Sequence, residues 1–270
     1  MTQIKNKITI LGSGTSTGIP LISCECLVCS SLDHRDKRLR TSLYIETKTN
    51  KHIVVDTTPD FRTQFLNNQL TKLDAAIITH EHADHLHGLD DLRPFCFGPP
   101  AREIPVYTTA NTRSIIETRF PYIFSTGIKP NLGGGVPKLK MIDVPLDQNT
   151  QVLDTHFTFF TYPHGHGETM GFIHESFAYV VDCMELSDEV IKTLKNLNLD
   201  LLIIDCLQRK VHSTHLTVDK CFDYIEKINP KNAGLIHMGH DLSHRKLLDL
   251  AQKKFGNKVF PVYDGQNLFY

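Results

Sequence analysis

Short apolar runs of the length of a β-strand recur along the chain. They predict strands at residues 7–11, 41–46, 52–56, 75–79, 104–108, 157–163, 171–175, 177–182, 201–206, 233–238 and 258–265. Apolar residues spaced three and four positions apart predict helices at residues 60–70, 187–197, 217–228 and 243–255. Ser187 precedes an acidic first turn and is a suitable N-cap for the second helix. These elements predict an α/β or α+β domain in which two sheets carry helices on their outer faces.

The composition narrows the class of protein without naming an activity. The chain has 270 residues, of which 40% are hydrophobic, and a net charge of −1. This length can bury a full core, and we expect a single domain over residues 1–270. The near-neutral charge argues against a protein that coats nucleic acid through bulk charge. We see no secretory-signal pattern and no run near the roughly 18 apolar residues of a membrane span, so we expect a cytoplasmic protein with no membrane association.

A histidine cluster follows one of the predicted strands. The stretch "ITHEHADHLHG", residues 78–88, contains four histidines and two acids directly after an apolar run. On a turn after a strand, His80 and His82 can point to one side while Asp84 and His85 point to an adjacent one. Neutral imidazole suits Zn, Mn or Fe, and the carboxylate adds a hard oxygen ligand. The loop is therefore predicted to supply ligands to two neighbouring metal ions.

A cysteine cluster near the N-terminus indicates a further metal site. Three of the seven cysteines, Cys24, Cys26 and Cys29, lie within six residues. In a reducing cytosol such a cluster is more often a metal site than a disulfide framework. Three thiolates need one more ligand to complete a tetrahedral zinc site.

The H-x-H-x-D-H spacing resembles the metallo-β-lactamase superfamily. The resemblance implies an α+β fold, an αββα sandwich of two mixed sheets with helices on the outer faces, and a two-metal site at the sheet edges. It also implies a further histidine, a bridging aspartate and a last histidine, in that order. The sequence offers His164 or His166 in "TYPHGHGETMGF", Asp182 after "FAYVV", and His237 or His240 in "AGLIHMGH".

The alternatives among these ligands can be weighed. In close relatives the middle histidine follows a proline and precedes a G-[YF] pair. His164 is favoured over His166 because it fits the "PHG" pattern and has Gly171-Phe172 after it. Asp182 alone would suit a helix cap, but with the other ligands present the bridging role is favoured. Asp56 follows a similar apolar run and is expected to orient a ligand rather than to bind metal.

The cysteine cluster resembles the phosphoribosyl cyclic phosphodiesterase branch of the superfamily. In that branch an N-terminal C-x-C-x2-C motif and the second histidine of H-x2-H hold a structural zinc. If His237 closes the catalytic pair, His240 is free to complete a site with Cys24, Cys26 and Cys29, in a loop at about residues 12–30. The resemblance covers the chain from Gly12 to Gly265.

The resemblance implies two divalent ions, Mn or Zn, in the active site and one structural Zn. The expected ligands of the first ion are His80, His82 and His164. The expected ligands of the second are Asp84, His85 and His237, and Asp182 is expected to bridge the two ions.

His215 is expected to take part in catalysis together with Asp84 of the loop at residues 78–88, here called the metal loop. The triplet His215-Leu216-Thr217 resembles the H-x-T element of phosphodiesterases in the superfamily, so we expect a general acid or a phosphate contact at His215. The plain alternative is that His215 merely lies beside a helix cap, and His212 is a second candidate. Expected substrate-binding residues are Arg40, Arg93 and Thr217.

A phosphodiesterase is the function that these motifs favour. Its substrate would be a cyclic ribose phosphate or another small phosphodiester, including a short nucleotide, attacked by a hydroxide that bridges two metals. A homodimer is expected from the resemblance alone. A thioesterase or lactonase on the same site is an alternative, as is a non-catalytic metal-binding carrier protein. The stretch "IKPNLGGGVPKLK", residues 128–140, faintly resembles the substrate-binding arm of transfer-RNA 3′-processing nucleases but is short for that role.

We predict that Cys26→Ser lowers both the zinc content and the melting temperature, because a structural zinc stabilises the fold directly. Metal analysis and thermal unfolding on the same sample check this. Full metal content with unchanged melting would contradict a zinc site at this cysteine.

Overall fold

The computed structural model describes residues 5–125 and 135–270, and most of the stretch at 128–140 lies outside these ranges. The strands are β1 (Lys7–Gly12), β2 (Ser42–Glu46), β3 (His52–Val55), β4 (Ala75–Ile77), β5 (Ile104–Thr108), β6 (Leu139–Asp143), β7 (Asn149–Val152), β8 (Thr155–His164), β9 (Gly167–His174), β10 (Phe177–Val180), β11 (Leu201–Asp205), β12 (Asn232–Ile236), β13 (Val259–Pro261) and β14 (Asn267–Phe269). The α-helices are α1 (Phe61–Asn67), α2 (Ala83–Leu86), α3 (Arg93–Cys96), α4 (Ala110–Arg119), α5 (Pro121–Phe124), α6 (Asp188–Asn196), α7 (Val218–Ile228) and α8 (His244–Phe255).

Within the described ranges the strands form two mixed sheets of seven strands each. The first has the order β14-β1-β2-β3-β4-β5-β6, and the second has the order β13-β12-β11-β10-β9-β8-β7. Strands β3 to β6 pair in parallel, whereas β14, β1, β2 and β3 pair antiparallel. In the second sheet β10 to β13 are parallel, and β7 to β10 are antiparallel. The parallel strands therefore form one side of each sheet, with β6 and β13 at the edges.

Three apolar layers hold the sandwich together. The central layer joins the inner faces of the two sheets, with Ile10 and Ile45 from the first and Phe159, Phe172 and Ile203 from the second. A second layer packs α6, α7 and α8 against the outer face of the second sheet. A third packs α1 and α4 against the outer face of the first sheet. This is the αββα arrangement that the resemblance implied, and the expected fold is confirmed.

Each apolar run and each helical pattern of the sequence corresponds to an element of the structure. Ser187 is the N-cap of α6, where its hydroxyl accepts a hydrogen bond from the backbone N–H of Val190. The apolar patterns of the sequence did not indicate β6, β7, β14 or the helices α2 to α5. Helix α4 was missed because its apolar residues Ile115 and Ile116 are adjacent, so no apolar stripe with helical spacing marks it.

The ends of several strands meet at one edge of the sandwich. Asp56 follows β3, Asp182 lies just beyond β10 and His237 follows β12. All three have positive φ angles, of 65°, 51° and 61°, in the left-handed region that side chains other than glycine seldom adopt. Such backbone is maintained when the surrounding structure requires it, and here it turns polar side chains towards a common edge.

None of the helices in the described ranges combines the length and the apolar character needed to span a membrane.

Candidate metal centre

A backbone hydrogen bond and a close backbone contact hold the loop after β4 against the loop after β3. The backbone N–H of Gly88 donates to the carbonyl of Thr57 at 2.8 Å. A Cβ atom at Gly88 would lie 2.1 Å from the carbonyl oxygen of Thr58, so only glycine allows this approach. The histidine cluster is therefore held on a rigid loop, with Asp84 and His85 on the single turn of α2.

The first group of candidate ligands contains His80, His82 and His164, with one ring nitrogen of each within 4.8 Å of the others. Nε2 of His164 lies 3.2 Å from Nδ1 of His82. Nδ1 of His164 donates to the carbonyl of Thr214 at 3.0 Å, and Nδ1 of His80 is 3.0 Å from the hydroxyl of Thr79. These contacts leave Nε2 of His80 and of His164 as the nitrogens that face the cluster.

The second group is arranged around Asp182. Nε2 of His85 lies 2.6 Å from Oδ2 of Asp182 and 3.1 Å from Oδ2 of Asp84. Nε2 of His237 lies 3.1 Å from Oδ1 of Asp182. The same carboxylate reaches the first group, because its Oδ2 is 3.9 Å from Nε2 of His80. Asp182 is therefore placed between the two groups, where a bridging ligand would be required.

Unpartnered polar atoms indicate that this cluster fits a cation. Nε2 of His80, Nε2 of His85 and Oδ2 of Asp182 are buried without a hydrogen-bond partner among the described residues. The close approach of Nε2 of His85 to Oδ2 of Asp182 thus does not have the geometry of a hydrogen bond. Leaving such groups unpaired in a protein interior is costly, whereas metal coordination satisfies all of them at once.

The charges of the cluster favour the same conclusion. Burial lowers the pKa values of His80, His164 and His237, which favours the neutral form of these rings, the form that binds a metal. Burial also disfavours the charged form of His85, but the carboxylates around it outweigh that effect and raise its pKa well above the ordinary value. A buried site with this excess of carboxylates requires positive charge, which divalent ions would supply.

Further side chains orient the candidate ligands through their other ring nitrogen. Nδ1 of His85 is 2.7 Å from Oδ2 of Asp56, which is the orienting position expected for that aspartate. Nδ1 of His237 is 3.0 Å from the hydroxyl of Thr41, which in turn donates to the carbonyl of Gly14. Sequence reasoning missed Thr41, because nothing local distinguishes it from other threonines.

His215 lies beside the cluster and contacts a carboxylate that sequence reasoning missed. Its Nδ1 is 3.2 Å from Oδ2 of Asp205 and 3.3 Å from Oδ1 of Asp182. The carboxylate of Asp205 also accepts hydrogen bonds from the backbone N–H groups of Cys183 and Leu216, at 3.1 and 3.3 Å. Asp205 ends the run "LLIID" as Asp182 ends "AYVVD", and that likeness was the signal for it.

The structure also separates the alternatives that the sequence left open. His164 is buried in the cluster, whereas His166 is exposed in the turn between β8 and β9. His237 lies in the cluster, and His240 lies at the cysteines. His212 is exposed and lies 5.2 Å from His215, between ring centres.

The expected substrate-binding residues have other partners among the described residues. Arg40 pairs with Asp60 at 2.9 Å, and Nε donates to the carbonyl of Ser16. Arg93 donates to the carbonyl of Gly135 at 3.4 Å. The hydroxyl of Thr217 accepts from the backbone N–H of Lys220 and caps α7. None of these contacts is with the histidine cluster.

The cysteine cluster and His240 form a second candidate site. Nδ1 of His240 lies 3.2, 3.6 and 3.8 Å from the sulfurs of Cys24, Cys26 and Cys29. The edges of a tetrahedron around zinc are roughly 3.5–3.8 Å for the usual bond lengths. The separations from Cys26 and Cys29 lie in that range, and the separation from Cys24 is shorter. The backbone N–H of Cys29 lowers the pKa of Cys26 to about 6, which favours the thiolate that binds metal. The four side chains therefore fit the structural zinc that the resemblance implied.

Comparison with known proteins agrees with this geometry. A family model described as a beta-lactamase superfamily domain matches residues 51–238. The chain belongs to the metallo-β-lactamase superfamily. Within it the chain is a PhnP-like member, since a crystal structure described as a new diphosphatase from the PhnP family is 34% identical, covers 98% of this chain and 97% of its own, and superposes with a TM-score of 0.87.

Two other relatives extend the comparison. A Porphyromonas gingivalis (strain ATCC BAA-308 / W83) protein named octanoyltransferase is 40% identical over 95% of this chain, but the chain spans only 50% of that protein's length. The Zn²⁺-bound PqqB structure from Methylobacterium extorquens is 17% identical, covers 97% of this chain and 99% of its own, and has a TM-score of 0.75. At that identity the likeness shows the fold alone.

We predict that Asp56→Asn weakens metal binding about ten- to a hundredfold, because the amide no longer holds His85 as a carboxylate does. Titration of chelated protein with Zn or Mn measures this. Asp74→Asn is the matched control, since Asp74 holds His52 at 3.0 Å in a second histidine–aspartate pair away from the cluster. Equal metal affinity in the two variants would contradict the orienting role.

Proposed function

We propose that the protein hydrolyses a phosphodiester or diphosphate bond with two divalent ions, Mn or Zn, in the histidine–aspartate cluster. The observation that carries this proposal is the single carboxylate of Asp182 between two groups of histidines. The first ion would be held by His80, His82 and His164, the second by Asp84, His85 and His237. When bound, the ions supply Lewis-acid activation of water and of the phosphoryl group.

The protein's own residues provide the remaining parts of the reaction. Asp56, Thr41 and Thr214 hold three of the histidines, so the ligands are oriented before substrate binds. His215 is the candidate for proton transfer, because Nδ1 faces Asp205 and Asp182 and Nε2 remains for the leaving-group oxygen. An expelled alkoxide or phosphate would receive its proton there.

The comparison with the diphosphatase supports phosphorus chemistry over acyl chemistry. That protein shares 34% identity over almost the full length of both chains. The H-x-T element formed by His215 and Thr217 also favours a phosphoester. The proposed structural zinc, held by Cys24, Cys26, Cys29 and His240, would serve the fold rather than the reaction because thiolate-rich closed sites are structural.

Hydrolysis of an acyl ester or thioester is a second candidate. It is supported by the relative named octanoyltransferase, which matches at 40% identity. Since the chain spans only half of that relative, the name describes a protein with a further region of similar size. The two-metal arrangement itself suits a carbonyl as well as a phosphoryl group.

Metal-dependent hydrolysis of bis-p-nitrophenyl phosphate tests the proposal. The purified protein is stripped with a chelator, and Mn or Zn is added back while metal content is measured. We expect activity that returns with metal, and about three metals per chain if the cysteine site is also filled. Activity on p-nitrophenyl octanoate alone would favour the acyl candidate. Bound metal without turnover of either substrate would favour a non-catalytic carrier.

We predict that His215→Ala lowers kcat about a hundredfold or more for a diester with a poor leaving group, and less for a p-nitrophenyl ester, which needs little protonation. The matched control is His212→Ala, because His212 is exposed and lies in the same loop. Near-full turnover of the poor-leaving-group substrate by His215→Ala would exclude the general-acid role.

A further inference from the structure

A cavity opens directly beside the first group of candidate ligands. Its volume is about 570 Å³, and its lining residues are His82, Ala83, His87, Arg119 and Phe120. This volume lies within the range of roughly 300–1,000 Å³ that is usual for small-molecule sites. Since His82 belongs to both the cluster and the cavity wall, a molecule bound here would have one end at the reaction centre.

Arg119 provides a cation in this cavity whose charge is not neutralised. One of its guanidinium nitrogens donates to the backbone carbonyl of Glu81, the residue between His80 and His82. Among the described residues it forms no ion pair with a carboxylate. By contrast, Arg40 pairs with Asp60, and Arg113 of the same helix pairs with Glu117 and Asp143. Arg119 is therefore anchored beside the metal loop and keeps donors for an anion.

The rest of the wall is suited to a flat organic group. Phe120 is half-buried, and its ring meets that of His87 edge to face at 6.1 Å between centres. Ala83 adds a small apolar surface. An exposed guanidinium next to an aromatic ring matches an anionic group joined to a ring system.

We propose that Arg119 is a substrate-binding residue that recognises a second phosphate. The substrate is then a diphosphate diester, with one phosphate at the histidine–aspartate cluster, the other at Arg119 and an organic ring against Phe120 and His87. This inference rests on the proposed function, because it assigns the substrate class of the same site. A single-phosphate diester has no group for Arg119 to bind.

Hydrolysis kinetics of the metal-loaded, full-length protein test the assignment with two substrates. ADP-ribose carries a diphosphate, whereas the p-nitrophenyl ester of thymidine 5′-monophosphate carries one phosphate and also a ring. We expect Arg119→Ala to raise the KM for ADP-ribose about tenfold with little change in kcat, and to leave the thymidine ester within about twofold. Arg119→Lys should restore part of the loss, since it keeps the charge but not the two-pronged geometry.

Arg113→Ala is the matched control, because it removes an arginine from the same helix whose partners are already known. A merely structural role of Arg119 predicts a different result, since loss of its contact with Glu81 would disturb the metal loop and lower activity on both substrates alike. Equal losses on the two substrates, or no loss on ADP-ribose, would overturn the proposal.

A binding measurement separates this inference from the proposed function. Methylenediphosphonate cannot be hydrolysed at its P–C–P bonds, and its binding to the metal-loaded protein is measured by calorimetry. If neither substrate is hydrolysed, the proposed function fails, but weaker binding of methylenediphosphonate by Arg119→Ala than by Arg113→Ala still supports a phosphate site. Equal affinity of the two variants for methylenediphosphonate would contradict a phosphate site at Arg119.

Discussion

Asp182 places a carboxylate, almost fully buried, within 4.0 Å of the rings of His80, His85, His164, His215 and His237. Burial alone would favour the protonated acid, but the surrounding histidines hold the pKa of Asp182 well below its ordinary range. An ionised carboxylate in this position is stable only while positive charge surrounds it. The histidines at this edge of the sandwich are placed where they stabilise the carboxylate of Asp182.

The histidines that surround the carboxylate of Asp182 come from both sheets. His80 and His85 come from the loop after β4 in the first sheet. In the second sheet His164 is the last residue of β8, and Asp182 and His237 follow β10 and β12. The site therefore forms only when the two sheets are docked in register. The apolar layer between them, which includes Phe159 and Phe172, fixes the distances on which the candidate metal centre depends.

Arg38 and the cysteine cluster attach the N-terminal part of the chain to the segment after β12, which begins with His237. The guanidinium of Arg38 is buried, pairs with Asp36 and donates to the carbonyls of Gly239 and Leu242 at 3.0 and 2.6 Å. His240 lies in the same short segment and contacts the cysteines. In the sequence Arg38 belongs to a charge run that would ordinarily face solvent, so its burial marks a structural role. The zinc site that we propose would reinforce this connection.

The sequence patterns predict the layers of the fold and most of the candidate ligands. Apolar runs specify strands because side-chain burial follows strand periodicity, and the spacing of His80, His82, Asp84 and His85 is a local property of one loop. Which distant groups meet depends on the packing of the two sheets. Arg40 is neutralised by Asp60, and Asp205 reaches His215, through contacts that no local pattern encodes. No sequence pattern indicated Arg119, because α4 lacks an apolar stripe. Its position beside His82 results from the packing of α4 against the first sheet.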